Sequence, residues 1–181
     1  MDDIIQLMSW NSRGFNETKS DFISELCDRN FTIFCNQENF MLKKNSYKID
    51  NCCGDMKFFI KPAIKDNLDK GRPKGGLFTA IPESFKSFAE DISPNNWRLQ
   101  AIKFNFDESL LLINSYLPVD NRNDNSELLE SLEDIRDLID KYSPRHLLWT
   151  GDLNCDFRRQ TPHVEAISDF INNFNLRFLH N

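Results

Sequence analysis

A chain of 181 residues, 40% of them hydrophobic, is long enough for one domain with a real core (residues 1–181) and too short for two of ordinary size. Sixteen Phe against 6 Gly and 7 Pro exclude a disordered or low-complexity chain, and the longest apolar runs, about six residues, fall far short of the roughly 20 that span a bilayer. The net charge of −6 argues against a non-specific nucleic-acid binder, but residues 60–74 carry five Lys/Arg against two Asp, while residues 120–141 carry eight Asp/Glu against three Lys/Arg.

Met1-Asp2-Asp3-Ile4-Ile5 lacks the basic and apolar regions of a signal peptide, so an intracellular place, nuclear or cytoplasmic, without a membrane is expected. The first strand is the apolar run Ile4 to Trp10, stopped by the turn cluster Asn11-Ser12-Arg13-Gly14. Thr18, with Asp21 three residues on, reads as a helix cap, and Phe22, Ile23, Leu26 and Cys27 form one face of that helix. Phe31 to Cys35 reads as a buried strand, so the order predicts parallel strands with a crossover helix. Strands are then expected at Tyr47–Ile49, Lys57–Lys61, Gly75–Ile81, Trp97–Phe106 and Leu110–Tyr116, the last two as an antiparallel hairpin turning at Phe106-Asp107-Glu108-Ser109. Leu128, Leu129, Leu132, Ile135, Leu138 and Ile139 predict a helix over 126–141. His146 to Thr150 reads as a buried strand ending at Gly151-Asp152. Thr161-Pro162 starts a last helix with Val164, Ile167, Phe170, Ile171 and Phe174 on its apolar face, and Leu176–Leu179 could begin one more strand.

Five cysteines, Cys27, Cys35, Cys52, Cys53 and Cys155, are an odd number and suggest reduced thiols. No Cys-x-x-Cys or His-x-x-x-His spacing offers a zinc site.

The polar residues that carry chemistry fall at strand ends. Asn11 follows the first strand, Gln37-Glu38-Asn39 the second, and Asp152-Leu153-Asn154 the strand of 146–150. Ligands of sheets with parallel strands bind outside the carboxyl ends, and convergent Asn, Glu and Asp make a hard oxygen-rich site suited to Mg²⁺ or Mn²⁺. Tyr116 ends another apolar strand and can donate a hydrogen bond to an anion. Carboxylates for a metal and a water, with amide and phenol donors for phosphate oxygens, suit metal-assisted phosphoester hydrolysis. Each alone has an ordinary structural use, such as satisfying a loop or starting a helix; the ordered set is what is specific.

That ordered set, Trp10-Asn11, Gln37-Glu38, Ser115-Tyr116-Leu117-Pro118 and Gly151-Asp152-Leu153-Asn154, resembles the successive motifs of the endonuclease/exonuclease/phosphatase superfamily. Gly71-Arg72-Pro73-Lys74-Gly75-Gly76 before an apolar strand resembles the branch found in non-LTR retrotransposon endonucleases. The resemblance implies an α/β four-layer sandwich of two mixed β-sheets between helices, here lacking the last strands, and divalent-metal-dependent phosphoester cleavage. Carried over by motif, Asn11 helps position the metal (Mg²⁺ or Mn²⁺), Glu38 is its main ligand, Tyr116 contacts the scissile phosphate, Asp152 orients the attacking water and Asn154 binds a phosphate oxygen. Arg72 and Lys74 are candidate nucleic-acid contacts.

Two departures stand out. Arg13 occupies a position where some members carry Asp, and the family's terminal Asp-His motif has no counterpart: His146 stands six residues, about 20 Å of strand, before Asp152, His163 is a weak substitute and His180 is penultimate. Three readings follow: a C-terminally truncated DNA-nicking endonuclease-like domain with reduced or no activity; a phosphatase of the same fold acting on an inositol phosphate or phospholipid headgroup; or a non-catalytic module that binds phosphate or nucleic acid. The expected partner is DNA, with self-association through an incomplete sheet edge.

Overall fold

Parallel pairing of the first two strands organises one of two sheets. The computed structural model describes residues 6–28, 33–50, 52–65, 71–121 and 124–179. Expectations placed on Ile4, Ile5, Phe31, Thr32, Lys70 and His180, and on the side chains of Leu26 and Cys27, fall outside the described residues.

Strand β1 (Leu7–Asn11) pairs parallel with β2 (Ile33–Gln37), and helix α1 (Glu17–Asp28) makes the crossover, as the apolar pattern predicts. Asn16, rather than Thr18, caps α1: its Oδ1 accepts from Lys19 N at 3.0 Å, and Thr18 lies inside the helix. Antiparallel β4 (Leu77–Pro82) and β3 (Met56–Lys61) complete a sheet of order β1-β2-β4-β3. The second sheet has the order β5-β6-β7-β8, from β5 (Ala89–Asp91), β6 (Leu99–Phe104), β7 (Leu110–Tyr116) and β8 (His146–Asp152). The hairpin β6–β7 is antiparallel and β7–β8 is parallel, so both sheets are mixed. The α/β class with two mixed sheets and helices is the one expected.

Tyr47–Asp50 is a helical turn, α2, and not a strand: Ile49 N and Cys52 N bond back to the carbonyls of Ser46 and Ile49, and only Ile49 faces inward. Three alternating residues match a helical turn as well as a strand, and the flanking 3-10 turn Lys43–Asn45 settles the matter. The short edge strand β5 carried no sequence signal. Strand β6 is buried along nearly its whole length, with Gln100, Ile102 and Phe104 directed at the other sheet. Conversely β8, expected to be buried, is half-buried; it ends its sheet, and among the described residues it pairs only with β7.

The described chain falls into two compact units, Met1–Tyr116 with Pro144–Asp152, and Leu117–Ser143 with Leu153–Asn181. In the first, α1 and α2 cover the outer face of the first sheet through Ile23, Ile49, Phe34, Phe58 and Phe78, with Trp10 edge-on to Phe22 at 5.2 Å. Between its two sheets lie Ile33, Ile81, Ile102, Phe104 and Leu112, each fully buried. Burying such side chains contributes roughly 1.5–3 kcal/mol apiece. The second unit contains α3 (Ser126–Tyr142) and α4 (Pro162–Asn173), which are neighbours. Thr161 caps α4 as expected, its Oγ1 accepting from Val164 N at 3.3 Å. Leu129 departs from the predicted stripe of α3 and is 55% exposed, being one residue round from Leu128. Leu176–Leu179 forms no strand, and Phe178 and Leu179 are exposed. Cys35, Cys52, Cys53 and Cys155 are free thiols. Among the described residues no helix is long and apolar enough to cross a membrane.

Candidate active site

Four strands of the first unit end together. β1 and β2 run parallel in one sheet, so Asn11 lies beside Gln37 and next to Glu38; β7 and β8 run parallel in the other, so Tyr116 lies directly beside Asp152. These strand ends come from two sheets packed face to face.

Asn11 joins them. Its Nδ2 donates to Glu38 Oε2 at 2.8 Å and to Asp152 Oδ2 at 2.7 Å, so one amide bridges two carboxylates from different sheets. Its Oδ1 is turned the other way and accepts from Arg13 N at 3.1 Å. The two carboxylates are thus well inside the ~10 Å beyond which one hydrated divalent ion could not serve both. Tyr116 donates its phenol proton to Glu38. Partial burial, that bond and the charges of Glu38 and Asp152 push its pKa up to about 12, against a smaller opposite pull from Arg98, so it remains a neutral donor at ordinary pH.

The loops that present these groups are held in unusual backbone conformations. Arg13, Glu38 and Phe40 have φ of 49°, 54° and 56°, in the left-handed region that costs a non-glycine residue energy. The bonds Ser12 N to Gln37 O (2.9 Å), Gly14 N to Glu38 O (2.6 Å) and Phe15 N to Asn39 O (2.9 Å) extend the β1–β2 pairing past the strand ends. Asn39 N and Phe40 N bond to the carbonyls of Gly76 and Gly75. At Gly76 (φ +87°) a Cβ would lie 2.3 Å from Asn39 Oδ1, so the loop after β2 closes only over glycine. Gly151 (φ +131°) does the same for Asp152: a Cβ there would stand 2.0 Å from Ser115 O on β7.

Arg72, a candidate nucleic-acid contact, is exposed, yet it stacks 3.7 Å over the Phe40 ring and donates to Arg13 O at 3.1 Å, which clamps the Glu38 loop. Lys19 holds the adjoining loop after β1, donating to Ser12 O and to Gly14 O at 2.7 Å. Lys74 is exposed, and its backbone bridges to Ile64. On the other flank Arg98 lies 4.0 Å over Trp97 and 5.8 Å from the Tyr116 ring. Lys19, Trp97 and Arg98 escaped sequence reasoning. For Arg98 the available signal was its place just before a strand antiparallel to the one ending in Tyr116.

Asn154 belongs to the second unit, where its Nδ2 donates to Leu117 O at 2.7 Å with φ +48°. His163, also in that unit, is 1% exposed, and its Nε2 has no hydrogen-bond partner among the described residues. His146 is exposed at the opposite end of β8 from Asp152 and bonds Glu108 at 2.6 Å.

No family model matches the sequence, and no curated protein matches it. Solved structures do. The chain is similar to an AP endonuclease from Leishmania major, with a TM-score of 0.72 at 13% identity over 93% of this chain and 66% of that one. It is similar to the endonuclease domain of TRAS1, a telomere-specific non-LTR retrotransposon, with a TM-score of 0.66 at 14% identity over 97% of this chain and 74% of that one. TDP2 from C. elegans follows, with a TM-score of 0.59 at 16% identity, covering 87% and 51% of the two chains. The chain has the endonuclease/exonuclease/phosphatase fold, as its strand-end motifs suggested, and spans about two thirds of the length of the Leishmania enzyme and half that of TDP2.

Proposed function

We propose that the chain is a divalent-metal-dependent phosphodiesterase-like domain that acts on DNA, of the kind found in retrotransposon endonucleases. The observation that carries this reading is the Asn11 amide bridging Glu38 and Asp152 from opposite sheets, with the Tyr116 phenol on Glu38. DNA is favoured as substrate because the similar structures include AP endonucleases and a retrotransposon endonuclease, and because Arg13, Arg72 and Lys74 are exposed in loops near Glu38 or joined to them. A DNA substrate accords with an intracellular, nuclear or cytoplasmic place.

The donor set fits Mg²⁺ or Mn²⁺. Two like charges held this close by one neutral amide are relieved by a divalent cation, and Mg²⁺ is commonly held by one or two carboxylates plus waters. Among the described residues no group of three or more His, Cys, Asp or Glu is placed to hold a metal ion, so an ion here would rest on the Glu38 and Asp152 carboxylates and complete its shell with water. Glu38 would hold the ion, Asn11 would orient both carboxylates, and when bound the ion would supply charge neutralisation for a phosphate oxygen. Asp152 orients the attacking water and takes its proton. Tyr116, neutral at working pH, would turn its single phenol proton from Glu38 to a non-bridging phosphate oxygen once the ion takes up the Glu38 charge, and Asn154 keeps its motif-based role as a proposed phosphate donor.

The single histidine of the first unit, His146, is at the far end of β8 and does not assist. Acid–base help from a placed histidine is worth about 10²–10⁴-fold, so turnover by these 181 residues is slow. The test is nicking of supercoiled plasmid by residues 1–181 in Mn²⁺, beside Asp152→Ala and Glu38→Gln. Slow nicking that both variants abolish is the expected result. Nicking that survives both substitutions, or none together with no Mn²⁺-dependent rise in Tm, overturns the reading.

A subsidiary proposal concerns partners. Among the described residues β1 bonds only to β2 and β8 only to β7, and end strands of this kind template pairing with another chain. Self-association is expected in sedimentation velocity, and a monomer at high concentration overturns it.

A further inference from the structure

We infer that the hydrogen bond between Gln37 and Asn114 sets the distance between the two halves of the site, which makes both of them positioning residues for Glu38 and Tyr116; the inference rests on the metal-dependent reading above. Gln37 precedes Glu38 at the end of β2, and Asn114 stands two residues before Tyr116 on β7. Their side chains meet between the sheets, each 1% exposed. Gln37 Nε2 donates to Asn114 Oδ1 at 2.7 Å and to Ser9 Oγ at 3.1 Å. Asn114 Nδ2 donates to Phe78 O at 3.1 Å and Asn36 O at 3.3 Å. One side chain of the second sheet thus reaches three groups of the first.

The physical case is directional. Apolar burial depends on area and is nearly indifferent to small sliding of one sheet over another. A hydrogen bond weakens steeply when misaligned, and a buried amide that loses its partner keeps its desolvation cost. This bond therefore pins the sheets against sliding within two residues of the groups that must converge. A comparable link, Thr79 Oγ1 to Gln100 Oε1 at 2.7 Å with Gln100 Nε2 to Phe59 O at 2.9 Å, joins strands that carry no candidate site residue and serves as the control.

The experiment compares the full chain with Gln37→Leu/Asn114→Leu, with the milder Asn114→Ser, whose hydroxyl is too short to reach Gln37, and with the control Thr79→Val/Gln100→Leu. Two readouts are taken: amide hydrogen exchange at Asn39 and Tyr116 without metal, and the Mn²⁺ dissociation constant. Besides the Gln37–Asn114 bond the double Leu variant takes a donor from Ser9 Oγ, Phe78 O and Asn36 O, and the control takes one from Phe59 O, so both lose some Tm and are compared at a temperature where each is fully folded. In the double Leu variant exchange at Asn39 and Tyr116 accelerates roughly tenfold and Mn²⁺ binding weakens by a similar factor, the size of one hydrogen bond, while the control moves neither. The swapped pair Gln37→Asn/Asn114→Gln, which retains an amide at each end, restores both readouts. Unchanged exchange in the double Leu and Asn114→Ser variants overturns the inference, as does an equal effect from the control. Accelerated exchange in a protein whose wild type takes up no Mn²⁺ upholds the positioning role and removes the metal-dependent reading instead.

Discussion

The interface between the two sheets of the first unit has an apolar half and a polar half, and they do different work. At the beginnings of β2 and β7 and the ends of β4 and β6 it holds Ile33, Ile81, Ile102, Phe104 and Leu112, extended by Phe85 and Phe106. Toward the ends of β2 and β7 it holds Gln37, Thr79, Gln100 and Asn114, all 0–1% exposed. Buried amides are a poor source of stability, since folding exchanges their bonds with water for bonds with protein. They are a good source of geometry, and they stand where Asn11, Glu38, Tyr116 and Asp152 need sub-ångström placement. The apolar half supplies the free energy that holds the sheets together; within the polar half the Gln37–Asn114 bond decides where the site-bearing strands stop.

Substitutions can break this division. Phe104→Ala, in the apolar half, should cost about 3–5 kcal/mol in urea denaturation while the folded fraction keeps its Mn²⁺ affinity. Gly151→Ala should cost on the order of 3 kcal/mol for the opposite outcome. Its Cβ meets Ser115 O at 2.0 Å, pushes β8 from β7, and should displace Asp152 and abolish Mn²⁺ binding. Equal effects of these two variants on Mn²⁺ would erase the distinction between the halves.

Tyr116→Phe gives a smaller, pH-dependent effect. The fold raises the phenol from 10.0 to about 12, so it favours the neutral form. That contribution is fully present below pH 10 and is lost as pH rises through 12. Urea stability of the wild type should therefore fall more steeply between pH 10 and 12 than that of Tyr116→Phe; parallel curves would mean that neither burial nor the Glu38 bond raises the phenol. The smallest effect concerns Cys35, whose thiol burial pushes to about 12. Half-buried Cys53 and Cys155 should react with an aromatic disulfide at pH 8 within minutes, and Cys35 only as fast as the sheets separate. Rapid labelling of Cys35 would mean that the apolar half opens easily.

Local pattern was enough for most elements. Leu110–Tyr116 has the bounds expected of it, because an apolar run closed by a polar cluster has few other conformations. It failed where the signal was short: Tyr47–Asp50 turned helical, and Leu176–Leu179, four residues of which three are apolar, forms no strand. The half-burial of β8 depends on its place at the end of a sheet, which no property of residues 146–152 encodes.

The sequence by itself determined which residue types end which strands, and hence that amide, carboxylate and phenol groups stand at carboxyl ends. Those choices are local, set by periodicity and turn chemistry over a few residues. Only the tertiary structure decided which ends meet. Asn11 and Asp152 lie 141 residues apart, and their 2.7 Å bond depends on strand order in each sheet and on how the two sheets seat against each other. That seating is a property of paired surfaces: Gln37 and Asn114, separated by 77 residues, read in the chain as two ordinary polar residues and become a gauge between the sheets only when both strands are in place.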